Sequence, residues 1–585
     1  MDWIFISIMV GALVLCVVAA FFGGPKKPKP SGLYGDASLA TDDMLKHAGL
    51  IGAEWGQGIR IGNTTRAAVI RYLGQNSILL VGPPGTGKQT TFATTALIEA
   101  ENTAFFVLDP KVELLPITHR RRAALGRVRW IVPFKEGLPP ELAHYVDESD
   151  SYNPLWFLDA QSESYVINCD TLAEILVASE DGESRNAGFF TGNAQTIVSG
   201  VLMQLVENYR DQATLPELAS IVCSDRLFAF AATALKTGSQ FVKDRLSVVA
   251  TPDAAEMKGG LGDILRTARE QLKWLSNPAI ARILQTPKEP WRFEDLKCGE
   301  KPASFYVGVS AKYLPTSRRL FRLLLGCAIA ELQTTPPGVW PVCCLADEFA
   351  LLGKVEIFRS VFAEARGHGF KMIAIVQNIG QLISTYGQEG YRNILSGSEI
   401  QLFLPPRDLQ TATEISRLAG KRTVVTEHKS YSAGGHETTG YGEAPQDVID
   451  PHKVMALKAD EFIMFAPGLV KDAILGRRRP YWEFEDIGPW CDTNPYNPTT
   501  PPGFVKVLCP HCGRVFGPLA RSLQKRVLGV PIECFYCGQK WKVEDMPEGE
   551  TAVAVRASGM TAYLERVFGD WFMKHRAIHE NRSSK

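Results

Sequence analysis

The chain has 585 residues, of which 45% are hydrophobic and 22% charged, and its 63 Lys and Arg balance its 63 Asp and Glu. That length provides for about three to four domains, and the composition excludes a disordered or purely fibrous chain. The even charge excludes the global positive field that a sequence-independent nucleic-acid coat needs, so any contact with nucleic acid must be local.

From Trp3 to Phe22 no residue is charged, and about twenty helical residues at about 1.5 Å each cross a bilayer core of roughly 30 Å. This predicts one transmembrane anchor over 1–24. A cleaved signal peptide would carry positive charge ahead of its apolar run, whereas the early charge here is Asp2. Lys26, Lys27 and Lys29 follow the run instead. The positive-inside rule then places the bulk of the chain in the cytoplasm, with the N-terminus outside. In that compartment the twelve cysteines stay mostly reduced. Cys16, Cys169, Cys223, Cys298, Cys327, Cys343, Cys344 and Cys491 are scattered and read as small core residues.

After a linker expected over 25–64, strand-like runs recur with helical stretches between them. They are Ser77 to Val81, Thr103 to Asp109, Val128 to Phe134, Ser304 to Ser310, Val339 to Asp347, Lys371 to Gln377, Glu399 to Pro405 and Glu461 to Pro467. Many are apolar throughout, as in strands buried on both faces of a mainly parallel sheet, which argues a doubly wound α/β nucleotide-binding core. Phe189 to Tyr209, Ser224 to Thr237 and Leu261 to Leu284 have helical periodicity. The core therefore divides into 65–165 and 291–485 around an all-α insertion at 166–290. The Gly, Ser, Thr and His content of Glu427 to Gln446 predicts a mobile loop, and the Pro and Asn content of Pro489 to Pro502 a linker.

The first of these strands runs into Gly82-Pro83-Pro84-Gly85-Thr86-Gly87-Lys88-Gln89-Thr90, with a helix-compatible stretch behind it. Glycines at 82, 85 and 87 let several backbone N–H groups face one point, Lys88 adds a movable charge, and the helix N-terminus favours an anion. The pattern is a phosphate-binding loop for a nucleoside triphosphate. The hydroxyl that ordinarily follows the lysine to bind Mg2+ is replaced by Gln89, with Thr90 one place later.

Val339 to Leu345 leads into Ala346-Asp347-Glu348. A carboxylate at the tip of such a strand can hold magnesium and a second can activate water, which assigns Asp347 to the metal and Glu348 to the water. Gln377 ends the next apolar strand and either senses the γ-phosphate or caps the strand. Arg366 lies ahead of that strand, in Ala365-Arg366-Gly367-His368-Gly369, and by sequence alone is a surface arginine. Candidate basic patches are Arg120, Arg121 and Arg122 with Arg127 and Arg129, Arg318 and Arg319 with Arg322, and Arg477, Arg478 and Arg479. Such clusters are more often plain solvated surface.

Leu345-Ala346-Asp347-Glu348-Phe349-Ala350-Leu351-Leu352-Gly353-Lys354, the Ala365 to Gly369 motif, and Ile375-Val376-Gln377-Asn378 with Gln381, Leu382, Tyr386 and Gly387 together resemble the signature of the type IV secretion coupling proteins, the conjugative DNA-transfer ATPases. Further matches are Asp109-Pro110-Lys111 with Glu113, Tyr152-Asn153-Pro154-Leu155, and Asp408, Thr411 and Ala412. The resemblance covers about residues 70 to 425. It implies a RecA-like P-loop ATPase, a membrane-anchored homohexamer that receives a single-stranded DNA–relaxase complex and drives it toward the inner-membrane components of a type IV secretion system. By the same resemblance Lys88, Asp347, Glu348, Gln377 and Arg366 fall on the lysine, magnesium, water-activating, sensor and arginine-finger positions. Members commonly lack the hydroxyl after the lysine. Many have two transmembrane helices, whereas this sequence predicts one. Two alternatives stand beside the DNA motor: a receptor for secreted effector proteins, and a membrane recruitment scaffold switched by nucleotide.

Toward the C-terminus, Cys509-Pro510-His511-Cys512 and Cys534-Phe535-Tyr536-Cys537 are separated by 21 residues. This is the spacing of a four-cysteine zinc ribbon, so a structural Zn2+ site on Cys509, Cys512, Cys534 and Cys537 is expected within a module at 486–545. Redox pairs or a coincidence of spacing are the competing readings. In the tail, 546–585, Tyr563, Leu564, Val567, Phe568, Trp571 and Phe572 recur at amphipathic helical spacing.

Overall fold

The computed structural model describes residues 27–496 apart from 179–184, 211–212, 251–259, 354–355, 432–436 and 485, together with four short strands between residues 504 and 542. The strands of the main body are β1 (Ile59–Thr64), β2 (Val69–Tyr72), β3 (Ser77–Val81), β4 (Ala104–Asp109), β5 (Val128–Ile131), β6 (Ser304–Gly308), β7 (Val342–Asp347), β8 (Phe370–Val376), β9 (Ser398–Phe403), β10 (Lys421–Tyr431), β11 (Glu437–Asp447), β12 (Glu461–Ala466) and β13 (Val470–Arg477). All but β10 and β11 form one 11-stranded sheet in the order β2-β1-β13-β12-β9-β3-β8-β7-β4-β6-β5. From β9 to β5 neighbouring strands are parallel. β12, β13, β1 and β2 extend the sheet antiparallel.

Every apolar run expected to be a strand is one, and the reason is visible in the core. Leu79, Val81, Phe106, Leu108, Cys344 and Ala346 pack on one face of the sheet. Their alternates Ile78, Leu80, Phe105, Val107, Cys343 and Leu345 pack on the other. Side chains alternate across a strand, so a run apolar at every position is stable only where both faces are covered. Each such Leu or Ile contributes about 1.5–3 kcal/mol by leaving water.

Between β5 and β6 the chain leaves the sheet and forms helices Tyr165–Leu176, Arg185–Asn208, Leu215–Val222, Arg226–Thr237, Gln240–Ala250, Gly260–Leu272 and Pro278–Ile283. The stretch expected as one helical region to Leu284 is broken at Asn277, whose side chain caps the last helix by accepting from Ala279 N, with Pro278 in its first turn. Tyr152-Asn153-Pro154 ties this helical part to the core. Asn153 Oδ1 accepts from Leu155 N, its amide donates to Ala213 O at 2.9 Å, and the Tyr152 hydroxyl donates to buried Glu331 at 2.5 Å.

Three expectations are corrected. The segment read as a mobile loop is the hairpin β10–β11, paired from Lys421↔Asp447 to Tyr431↔Glu437. Its glycines suggested a loop, yet Gly440 pairs with His428 and Gly442 with Thr426 across the ladder. The linker expected before residue 65 contributes β1 and helix Asp42–His47, capped by Thr41, with Leu45 and Leu50 in the core. The segment expected as a linker from Pro489 is docked up to Tyr496. Cys491 is buried, and Asp492 accepts from Arg120 Nε at 2.9 Å.

Among the described residues no single helix is long and apolar enough to cross a membrane. The anchor expected over 1–24, the four cysteines of the zinc knuckles and the C-terminal amphipathic helix lie outside the described residues.

Candidate nucleotide site

β3 lies between β9 and β8, and β8 lies between β3 and β7. Parallel pairing sets Val81 beside Val376 and Asp347 beside Ile375, so the ends of β3, β8 and β7 share one edge. Ligands of open α/β sheets bind outside such carboxyl ends. The loop from Gly82 opens there, its first N–H donating to Val376 O at 3.0 Å. Gly85 and Gly87 adopt φ of +75° and +77°, a conformation side chains resist, which curls the loop. Thr86 Oγ1 donates to Pro83 O at 2.7 Å and Thr91 Oγ1 to Gly87 O at 2.7 Å. Lys88 Nζ lies over the loop and donates to Gly82 O at 2.5 Å. Burial lowers its pKa, while Glu348 and Asp347 raise it.

The carboxylates meet the loop. Gln89, in the place of the usual hydroxyl, donates its amide to Asp347 Oδ2 at 2.6 Å. Burial pushes Asp347 up to about 6, against the bond from Gln89. Glu348 follows with φ +78°. For a non-glycine residue this left-handed backbone costs about 1–3 kcal/mol and aims the side chain away from the strand direction. Gln377 Nε2 donates to Glu348 Oε2 at 2.8 Å, while the buried Oε1 of Glu348 has no hydrogen-bond partner among the described residues. The backbone of Gln377 donates to Gln381 Oε1 at 3.0 Å, and Asn378 caps the following helix by accepting from Gln381 N.

Gly82, Gly85, Thr86, Gly87, Lys88, Gln89, Thr90, Asp347, Glu348 and Gln377 are thus brought together. Arg366 is not: it is exposed and precedes β8 at the end opposite Gln377. The 7 residues of that strand separate them by about 20 Å. Nor do Arg120, Arg121 and Arg122 form a basic surface, since all three are buried. Their guanidiniums reach Asp492, Glu101 and the carbonyls of Ala100 and Thr103. Arg127 is the exposed member nearby and pairs with Glu289.

Asp109, read in a family motif, and Arg478, read in a candidate basic patch, contribute in ways the sequence did not assign them. Asp109, fully buried and pushed up to about 7 by burial, accepts from Glu113 N and Leu115 N and shapes the turn after β4. In that turn Val112 has φ +54°, and Lys111 beside it adds a positive charge felt at Asp347. Arg478 was read as surface but is 7% exposed and contacts the phosphate loop at the Thr86 carbonyl. No periodicity announces either, because both depend on tertiary placement.

The donor set fits a divalent cation. Asp347 offers a hard carboxylate oxygen beside the loop, next to the Glu348 oxygen that has no partner among the described residues. A magnesium ion held by Asp347 would neutralise phosphate charge. The four cysteines of the expected zinc site lie outside the described residues, among which no group of three or more His, Cys, Asp or Glu side chains could hold a metal ion.

The fold and this edge define a phosphate-loop nucleotide-binding protein with an α/β core interrupted by helices. The chain matches the type IV secretory system conjugative DNA transfer family over residues 39–488 and belongs to it. It is 26% identical over 363 residues to protein VirD4 of Rhizobium rhizogenes, covering 60% of this chain and 50% of that protein. To the conjugal transfer protein TraG of Escherichia coli it is 24% identical over 426 residues, covering 66% of this chain and 62% of that protein. The chain therefore spans about half to three-fifths of the length of these relatives. Its fold is shared with the bacterial conjugative coupling protein TrwBdeltaN70, with TM-score 0.55 and 14% identity over 78% of this chain and 95% of that one. The plasmid coupling protein TrwB in complex with ADP and Mg2+ gives TM-score 0.54 at 13% identity, over 78% and 96%.

Proposed function

We propose that the protein is a membrane-anchored ATPase that receives a relaxase–DNA complex and drives it into a type IV secretion channel during conjugation. The observation that carries this reading is the bond from Gln377 to Glu348, which leaves Glu348 Oε1 buried and available beside Asp347 and Lys88. A loop that only bound nucleotide as a switch would not need a carboxylate strained into that position. Lys88 and the loop N–H groups bind and orient the phosphates, Glu348 takes the proton of the attacking water, and Gln377 holds Glu348 in place.

The remoteness of Arg366 from its own phosphate loop suits a finger that completes the neighbour's site in a homohexamer, where such a group contributes about 10³–10⁵ in rate. Residues 3–22 serve as the inner-membrane anchor, next to channel components. The zinc reading rests on placement in the chain: each Cys-x-x-Cys falls between two antiparallel strands, Phe504–Leu508 with Val515–Ala520 and Pro531–Glu533 with Lys540–Lys542. A four-cysteine site there would fold a small docking module for DNA-bound or effector protein cargo.

ATP turnover of the full chain, with and without single-stranded DNA, tests the proposal. DNA-stimulated turnover that Glu348→Gln removes supports the motor. ATP binding without turnover in the assembled oligomer moves the reading to the nucleotide-switched scaffold, and stimulation by effector protein but not DNA moves it to the effector receptor.

A further inference from the structure

Arg478 follows the end of β13, 7% exposed, and no Asp or Glu lies within ion-pairing distance of it among the described residues. One terminal nitrogen donates to the Thr86 carbonyl and lies 3.4 Å from Thr91 Oγ1. The other donates to the Ala459 carbonyl, and Nε has no acceptor among the described residues. Burial lowers its pKa, and the Asp460 carboxylate offsets this only from a distance. A buried guanidinium without a paired counter-charge is costly and calls for explanation.

The carbonyl it holds belongs to the Thr86–Gly87 peptide. In a trans peptide the C=O and the N–H point in opposite directions. Fixing the Thr86 oxygen outward therefore fixes the Gly87 N–H inward, where a phosphate-binding loop needs its donors. The contact is close: a Cβ on Gly87 would sit 3.4 Å from the Arg478 nitrogen, so the guanidinium lies against that peptide. Gly87 with φ +77° leaves the peptide free to rotate unless something holds it.

We propose that Arg478 is a positioning residue for the phosphate loop, holding the Thr86–Gly87 peptide in its anion-binding orientation and supplying an unpaired positive charge that nucleotide phosphate balances. It acts through the loop from outside the phosphate cradle. Because the same guanidinium holds Ala459, ahead of β12, it also ties the antiparallel end of the sheet to nucleotide affinity. The inference rests on the nucleotide reading of this loop.

The test compares the full-length protein with R478Q, R478K and the exposed neighbour variant R477Q. Binding of a fluorescent non-hydrolysable ATP analogue, KM and kcat for ATP, and the melting temperature with and without nucleotide are measured. A charge-assisted hydrogen bond lost from the loop predicts a Kd and KM about tenfold or more higher in R478Q, kcat changed less, and a smaller nucleotide-induced rise in melting temperature. R478K should recover part of the affinity and R477Q should match the parent. R478Q that melts earlier but binds and turns over with unchanged Kd and KM overturns the proposal, leaving Arg478 a fold contact. If R478Q does not fold, R478K decides: it retains charge but not the fork, and an unchanged Kd there overturns the proposal equally. Failure of the parent protein to bind the analogue refutes the nucleotide reading itself, a different result from loss of the Arg478 effect alone.

Discussion

Arg122 and Arg478 are both buried arginines held by backbone carbonyls, yet their surroundings differ. Arg122 sends Nε to Ser304 Oγ at 2.7 Å, Nη1 to Ala100 O at 2.9 Å and Nη2 to Thr103 O at 2.6 Å. Its contact with the Phe105 ring completes the shell. At the phosphate edge, Arg478 Nε and Glu348 Oε1 have no partner among the described residues, and Glu348 and Val112 hold left-handed backbone. The difference is that every guanidinium nitrogen of Arg122 is bonded, whereas the loop edge combines two partnerless polar atoms, one on a cation and one on a carboxylate, with two left-handed residues, as sites awaiting a charged ligand tend to do.

The largest effect should come from the unmatched side. Lys88→Ala and Glu348→Gln should each lower ATP turnover by about a thousandfold or more while leaving the fold intact by circular dichroism and melting. The next comes from the satisfied side: Arg122→Met orphans carbonyls that a cation had filled. It should cost about 2–4 kcal/mol in urea unfolding with no change in nucleotide affinity of the folded protein. An Arg122 variant that weakened nucleotide binding without loss of stability would break the contrast.

Asp347 sharpens the comparison through pH. Its folded pKa, about 6, lies above the ordinary value of 3.8. The folded state therefore holds the proton longer, and stability falls as pH rises from about 4 to about 6. Above that window Asp347→Asn removes the cost, so the nucleotide-free variant should be more stable at pH 7 by about 1–3 kcal/mol, although turnover is lost. Parent turnover should rise as pH climbs through about 6. The smallest effect belongs to Arg127→Ala, which loses an exposed pair with Glu289 and should shift stability by less than about 0.5 kcal/mol.

The parallel half of the sheet was legible in the sequence because strands buried on both faces leave unbroken apolar runs, as Ser77 to Val81 does. Of the antiparallel end only β12 could be read, as Glu461 to Pro467; Ile59–Thr64 mixes Arg60 and Asn63 into a fully buried strand, and Arg60 is stabilised there by Glu99, distant in sequence. The same holds for β10–β11, where Gly440 and Gly442 read as loop residues although they pair in register with His428 and Thr426. Within the site, loop spacing and strand-tip carboxylates could be read directly, since that chemistry is local. The pairing of Gln89 with Asp347, the strained turn at Val112 and the approach of Arg478 depend on how distant parts of the chain pack, and nothing in the spacing encodes them. The arginines at 120–122 misled for the complementary reason: three adjacent charges read as surface until their carbonyl and carboxylate partners are seen.

The most direct test of the account is single-turnover and steady-state ATP hydrolysis by the full chain in lipid nanodiscs, with and without single-stranded DNA, beside Glu348→Gln. The account predicts DNA-stimulated turnover in the parent and, in the variant, tight ATP binding with hydrolysis reduced about a thousandfold or more. Equal hydrolysis by the two proteins, or none by the parent when it binds ATP and is fully assembled, would contradict it.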